Sequence, residues 1–207
     1  MRPPRASKST IAREEGPRAK TVTTQPCECL PSGNNQACDS VCYRRRNPAS
    51  LLEDATRIRD LTRAAYAKWV ALIGREPLPM QADYQRAVAE HIVDLLVDEG
   101  VLAGLIEMIL RPDHLWIENV AVEPERQGRG YGRQLLAHAE KRALEAECFE
   151  IRLQTNQAFA ANLDLYAKRG YAIDRTEPFR GGTTVHMSKR IEPPARAGAA
   201  SGAGALA

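Results

Sequence analysis

Between residues 41 and 190 the chain switches between two hydrophobic rhythms, and the switches outline its elements. In VCYRRR, Val41 and Tyr43 share one face, which predicts a short strand, and Asn47-Pro48-Ala49-Ser50 supplies a turn and helix cap. From Leu51, apolar residues at Leu52, Ala55, Ile58, Leu61, Ala65 and Trp69 recur at helical spacing, predicting a helix to about Ile73 that Gly74 ends. Pro77 and Pro79 force a break, and residues 81–90 read as a second, shorter helix. Residues 91–98 and 101–110 are apolar runs joined by Glu99-Gly100, a hairpin signal. Arg111-Pro112-Asp113-His114 makes the next turn, and residues 115–122 complete a three-stranded antiparallel meander. This third strand is apolar on both faces, so it is expected to be central and covered on both sides.

Residues 131–147 form a strongly amphipathic helix, with Leu135, Leu136, Ala139 and Ala143 inward and Arg133, Glu140, Lys141 and Arg142 toward water. Residues 148–154 read as a strand in which Phe149, Ile151 and Leu153 alternate with charges. A helix over 157–169 is stopped by Gly170, and 171–177 can pair with 183–189 as a closing hairpin. The order β-α-α-β-β-β-α-β-α-β-β predicts an α+β (mixed α/β) fold, a mixed sheet with helices on both faces.

The ends behave differently. Residues 1–40 lack periodicity and read as a disordered basic extension, residues 41–191 as the domain, and residues 192–207 as a disordered Ala/Gly tail. A translation start downstream of Met1 is also consistent with that extension. Six basic and two acidic groups in residues 1–26 leave a near-neutral remainder of the +3 chain, which gives no support for nucleic-acid binding by the domain. Among five cysteines, Cys27, Cys29, Cys38 and Cys42 follow C-x-C and C-x-x-x-C spacing without a nearby histidine, and a strand at Cys42 would work against a metal cluster. No apolar stretch approaches the ~20 residues of a membrane span, and no secretory h-region or transit peptide is evident, so a cytoplasmic protein without membrane partners is expected.

The chemistry concentrates in WIENVAVEPERQGRGYGRQLL, residues 116–136. An apolar strand runs into a turn containing Gly128, Gly130 and Gly132, followed at once by a helix. Glycines let successive N–H groups converge, and the helix N-terminus adds roughly half a positive charge, so the segment suits an anionic, phosphate-bearing ligand. Gln127, Arg129 and Arg133 add side-chain donors there. Neither the dinucleotide fingerprint nor the Walker pattern is matched.

The element order and this turn resemble the GCN5-related N-acetyltransferase (GNAT) superfamily, whose acetyl-CoA loop Q/R-x-x-G-x-G/A is matched by Gln127, Gly130 and Gly132. A second resemblance is TNQAFAANLDLYAKRGY, similar to the family's helix ending in L-Y-x-x-x-G-F/Y, at Leu165, Tyr166, Gly170 and Tyr171. The resemblance covers about residues 41–190. It implies a mostly antiparallel sheet and acetyl-CoA as co-substrate, with no metal. Its pyrophosphate would be held at Gln127, Gly128, Arg129, Gly130, Tyr131, Gly132 and Arg133. Pantetheine would run beside Val120, Ala121 and Val122, where their strand diverges from the next, and the Val122 N–H would polarise the thioester carbonyl. Tyr166 is implied as the acid for the leaving thiolate, against a packing role between helix and sheet, and Asn162 as a pantetheine contact, with Asn156 a helix cap.

Glu118, a lone carboxylate in an apolar strand, is the candidate base, and burial would raise its pKa. A structural pairing with an arginine is the competing role, and Glu107 is the alternative base. The family's acceptor site implies Tyr66, Trp69, Met80, Tyr84, His91 and the loop at residues 179–182, each with an ordinary packing role as well. The expected activity is acetyl transfer to a primary amine, on a small molecule or on a protein or peptide, by direct attack on the thioester. A non-catalytic acyl-CoA-binding domain and a transferase using another acyl-CoA are the alternatives. Homodimers are common in the family.

Overall fold

The chain's computed structural model describes residues 41–45 and 51–192. The terminal extensions, the 47–50 turn and cap, and Cys27, Cys29 and Cys38 lie outside the described residues. Seven strands form one sheet: β1 (Val41–Arg45), β2 (Ile92–Asp98), β3 (Val101–Leu110), β4 (Leu115–Val122), β5 (Glu150–Asn156), β6 (Ala172–Phe179) and β7 (Gly182–Arg190). Their spatial order is β1-β2-β3-β4-β5-β7-β6. Every neighbouring pair is antiparallel except β4 and β5. The order of helices and strands is the one read from the hydrophobic pattern, and Cys42 lies in β1.

Helices α1 (Leu51–Ile73) and α2 (Tyr84–Glu90) pack on one face of the sheet. Ala55, Ile58, Leu61 and Ala65, the apolar stripe of α1, are buried against Val93, Leu95, Leu105 and Ala121. Helices α3 (Tyr131–Glu145) and α4 (Ala160–Lys168) cover the other face, where Leu135, Leu136, Ala139 and Ala143 meet Ile106, Met108, Ile151 and Leu153. Gly74, at φ +68°, follows the end of α1, and Glu99-Gly100, at φ +51° and +78°, makes the β2–β3 hairpin turn.

Several boundaries move for identifiable reasons. Asp83 caps α2 by accepting from the N–H groups of Gln85 and Arg86, so this helix starts later than residue 81 and a 3-10 turn, Leu78–Gln81, precedes it. Phe149 is exposed and precedes β5, whose buried face is Ile151, Leu153 and Thr155. Glu140 and Arg142 face partners as well as water: Glu140 receives Arg169 at 2.8 Å and Lys189 at 2.7 Å, and Arg142 approaches Asp94 at 3.3 Å. Charge on the helix surface here ties α3 to α4, β7 and β2.

Candidate active site

One extra residue in β4 shapes the site. Glu107 pairs with Asn119 and Met108 with Ile117, so Glu118 is an inserted bulge residue. The insertion exchanges faces along the strand. Leu115 and Ile117 belong to the core under α3, whereas beyond the bulge Ala121 belongs to the core under α1, and Val120 and Val122 pack toward α3. At the same place β4 leaves β5, since their parallel pairing ends at Ile117 opposite Leu153.

The backbone of β4 beyond that point is therefore open on one side. The Glu123 N–H donates to Ala103 O, toward β3, at 3.0 Å. By strand alternation the polar groups of Ala121 also point to β3, and those of Val120 and Val122 point into the opening. Side chains confirm the direction: the Gln127 amide donates to Val122 O at 3.0 Å, and the Tyr66 hydroxyl lies 3.4 Å from Val120 O. A cavity of about 170 Å³ occupies the cleft, lined on its strand walls by Glu118, Val120, Gln154 and Asn156. The α4 wall contributes Asn162 and Tyr166, and Tyr66 closes the α1 side.

The glycine turn sits at the end of β4. Gly128 and Gly130 hold φ +80° and +90°, a conformation that side chains disfavour, and Gly130 is the residue before the first turn of α3. Among the described residues, no side chain caps that helix. Its leading N–H groups are thus unclaimed, the first backbone closure being Gln134 N–H to Gly130 O at 3.1 Å. Arg129 and Arg133 are exposed beside them and form no ion pair among the described residues. Gly132 has a packing reason: a Cβ there would stand 3.1 Å from Leu165 Cδ2 of α4. Two side chains depart from expectation. Gln127 accepts from Lys68 Nζ at 2.6 Å besides bonding Val122, so it braces the turn against α1 and β4. The Tyr131 ring is buried, its hydroxyl donating to Asp98, which Arg126 also pairs at 2.8 Å.

A polar network supports the bulge from below. Asn119, 3% exposed, donates from Nδ2 to Tyr84 Oη at 3.2 Å and to Thr62 Oγ1 at 3.3 Å, and accepts from the Tyr66 hydroxyl at 3.0 Å. Tyr84 in turn donates to Pro79 O at 2.7 Å. Sequence reading placed Tyr66 and Tyr84 near this region but missed Asn119, whose signal was a lone amide in an apolar strand.

The burial expected of Glu118 is not found. Glu118 is exposed, and its Oε2 accepts from Trp116 Nε1 at 2.7 Å. The buried carboxylate is Glu107, 3% exposed and 2.6 Å from His91 Nδ1. Burial pushes the Glu107 carboxyl above its ordinary value, with His91 opposing the shift.

On the far wall, Tyr166 is 7% exposed and meets Tyr171 edge-to-face at 6.0 Å. Burial pushes its phenol up to about 12. Asn162 lines the same cavity one turn earlier on α4, and Asn156, also on the cavity wall, ends β5 and accepts from the Ala158 N–H at 2.9 Å, shaping the turn before α4. Of the expected acceptor residues, Tyr66 and Phe179 line the cavity. Met80 and Tyr84 are core, Trp69 stacks on Phe159 with ring centres 4.5 Å apart, and His91 pairs with Glu107.

Several solved structures share the fold. A GNAT-family structure from Desulfovibrio desulfuricans aligns at TM-score 0.59 and 19% identity, covering 72% of this chain and 98% of the other. The ribosomal-protein-S18-alanine N-acetyltransferase of Escherichia coli aligns at TM-score 0.55 and 18% identity, over 76% and 97% of the two chains. The PaiA N-acetyltransferase of Thermoplasma acidophilum, in complex with coenzyme A, gives TM-score 0.56 and 16% identity over 73% and 99%. No curated protein sequence matches. Residues 56–171 match the model of the acetyltransferase (GNAT) family, more than half of the chain, and the chain belongs to that family.

Proposed function

We propose that the protein transfers an acetyl group from acetyl-CoA to a primary amine by direct attack on the thioester. The observation that carries this reading is the splay of β4 from β5 at Ile117 and Leu153, leading to an uncapped, glycine-formed helix N-terminus. That pair of features suits an extended ligand with a pyrophosphate at one end. The N–H groups of residues 131–133, with the Arg129 and Arg133 side chains, would hold the pyrophosphate. The open backbone of Val120 and Val122 would pair with the pantetheine amides as a further strand would, and Asn162 lies across the cleft to receive the same arm. Ala121 contributes through its place in the strand, its side chain being in the core. Acetyl-CoA supplies the activated acyl group.

Residues of the chain then account for the proton balance. The Val122 N–H polarises the acyl carbonyl; removing one such donor typically costs about 3 kcal/mol in barrier height. Glu118, through water, takes the proton that the amine loses as the C–N bond forms. Tyr166 gives its proton to the sulfur as the C–S bond breaks; burial, which pushes its phenol up to about 12, keeps that proton in place until the reaction calls on it. Glu107 is the second candidate base, favoured by its burial-raised carboxyl beside His91.

Two measurements test the reading: calorimetric titration with CoA, and free-thiol release from acetyl-CoA across a panel of primary amines. Saturable CoA binding with amine-dependent thiol release is expected. A protein that binds no CoA refutes the reading outright, and one that binds CoA but acetylates no amine refutes catalysis.

A further inference from the structure

The cavity contains a mismatch of charge that its own residues leave unresolved. Arg75, just beyond α1, lines it. Its Nε is shielded from water yet has no hydrogen-bond partner. The neighbouring carboxylate does not neutralise it, because Glu76 Oε1 is taken by Arg63 Nη2 at 2.6 Å, leaving Arg75 a 3.4 Å contact from Nη1 to the Glu76 carbonyl. Arg75 instead lies over the Phe179 ring, 5.9 Å from its centre, and Arg180 covers the same ring at 5.3 Å. Arg180 holds φ +47°, an unfavourable conformation for a side-chain-bearing residue, at the tip of the β6–β7 hairpin. Two guanidinium groups thus flank one aromatic side chain of the cavity.

The carboxylates in the cavity are not equivalent. Glu177 is engaged by His186 at 2.9 Å and by Arg175. Among the described residues, Glu118 has the Trp116 indole N–H as its partner and no cation. Among the described residues, the cavity therefore presents a guanidinium lacking an anion on its α1 wall and a carboxylate lacking a cation on β4. Arg75 is half-buried and its shielded Nε gains no compensating hydrogen bond among the described residues, and a planar carboxylate is the group that a guanidinium fork matches.

We propose that the acceptor is a small amine that also carries a carboxylate, its amine directed to Glu118 and its carboxylate held by Arg75 against Phe179. The proposal rests on the acetyl-transfer reading and assigns its acceptor class. Arg75 is then a specificity-determining residue.

The test uses the full-length protein, acetyl-CoA and matched amine pairs that differ only in the carboxylate, such as β-alanine with propylamine and leucine with leucinamide. Thiol release should favour the carboxylate-bearing member by roughly tenfold or more in kcat/KM. Arg75→Gln should raise the acceptor KM roughly 10- to 100-fold, change kcat less, and abolish the preference within each pair. Arg75→Lys, which keeps charge without the fork, should fall between the two. CoA affinity, measured separately by calorimetry, and fluorescence titration of the amines onto the CoA complex complete the set. Equal use of both members of each pair overturns the inference while acetyl transfer stands. It is overturned equally if Arg75→Gln weakens CoA binding instead of acceptor binding, or if no pair shows Arg75-dependent turnover or titration. Failure of CoA itself to bind is a different result and refutes the acetyl-transfer reading.

Discussion

Replacing Tyr166 by Phe separates a chemical role from a packing role. The ring is 7% exposed and sits edge-to-face with Tyr171, and both features survive the substitution. The hydroxyl makes no hydrogen bond with the described residues, so its loss breaks no bond within the protein and stability should change by no more than about 0.5 kcal/mol. The chemical consequence is much larger. With its phenol pushed up to about 12, Tyr166 is ionised in only about one molecule in ten thousand at pH 8, so the proton is present throughout the working range. General acid catalysis contributes roughly 10²- to 10⁴-fold. At about 1.36 kcal/mol per decade, Tyr166→Phe should raise the barrier by about 2.7 to 5.4 kcal/mol. The assay is thiol release at saturating acetyl-CoA and amine, alongside CoA calorimetry and a thermal melt on the same samples. A variant with kcat within twofold of the parent and unchanged CoA affinity refutes the acid role. A basic limb between pH 7 and 9 that vanishes in Tyr166→Phe would equally contradict a phenol held protonated by burial.

Two further expectations concern the sheet beneath the site. Glu107 has a folded-state pKa raised above its ordinary 4.5, so its contribution to stability is fully present below that value and is lost as pH rises through the folded pKa. Glu107→Gln should therefore flatten the decline in unfolding free energy above pH 4.5, measured by urea titration across pH 4 to 8, and an identical slope in both proteins contradicts the assignment. Gly104 faces β4 so closely that an added Cβ would stand 2.8 Å from Ala121 O and 3.2 Å from Leu135 Cδ1. Gly104→Ala should cost about 1–3 kcal/mol and weaken CoA binding by displacing the strand between Val120 and Val122; an unchanged urea midpoint would show that the two strands yield freely.

Local rhythm made the elements legible. The α1 stripe at Ala55, Ile58, Leu61 and Ala65 and the α3 stripe at Leu135, Leu136, Ala139 and Ala143 are buried as the period requires. The glycine turn was equally plain, because Gly128 and Gly130 adopt the positive φ for which glycine is selected. What periodicity could not convey was the bulge. Along β4 the burial of Leu115, Ile117, Asn119 and Ala121 alternates without interruption, so the strand reads as regular although Ile117 and Ala121 belong to opposite cores. The same blindness hides which carboxylate is buried. Both interrupt apolar strands, but register places Glu107 beneath α2 beside His91 and leaves Glu118 at the bulge, open to water. Partners distant in sequence, such as Lys68 on Gln127 or Asn119 beneath Tyr66, have no local signature.

The bulge also explains why so much of the candidate chemistry gathers on one strand. An uninterrupted β4 could continue pairing with β5, and the polar groups of Val120 and Val122 would then be spent within the sheet. With Glu118 inserted, the strand twists away after Ile117, and its outer backbone groups face the cleft. Open backbone at a sheet centre is unstable unless its position is fixed, and Asn119 supplies the fixation. Its amide is tied to Thr62 and Tyr84, and its carbonyl to Tyr66, so the bulge is anchored to both α1 and α2. Gln127 holds the other end at Val122 O while Lys68 holds Gln127. The cleft is thus braced by side chains from the α1 side and lined from the α4 side by Tyr166 and Asn162. In the proposed reading, the extended ligand meets two N–H groups already fixed by these side chains, which is the condition under which backbone donors contribute most to a transition state.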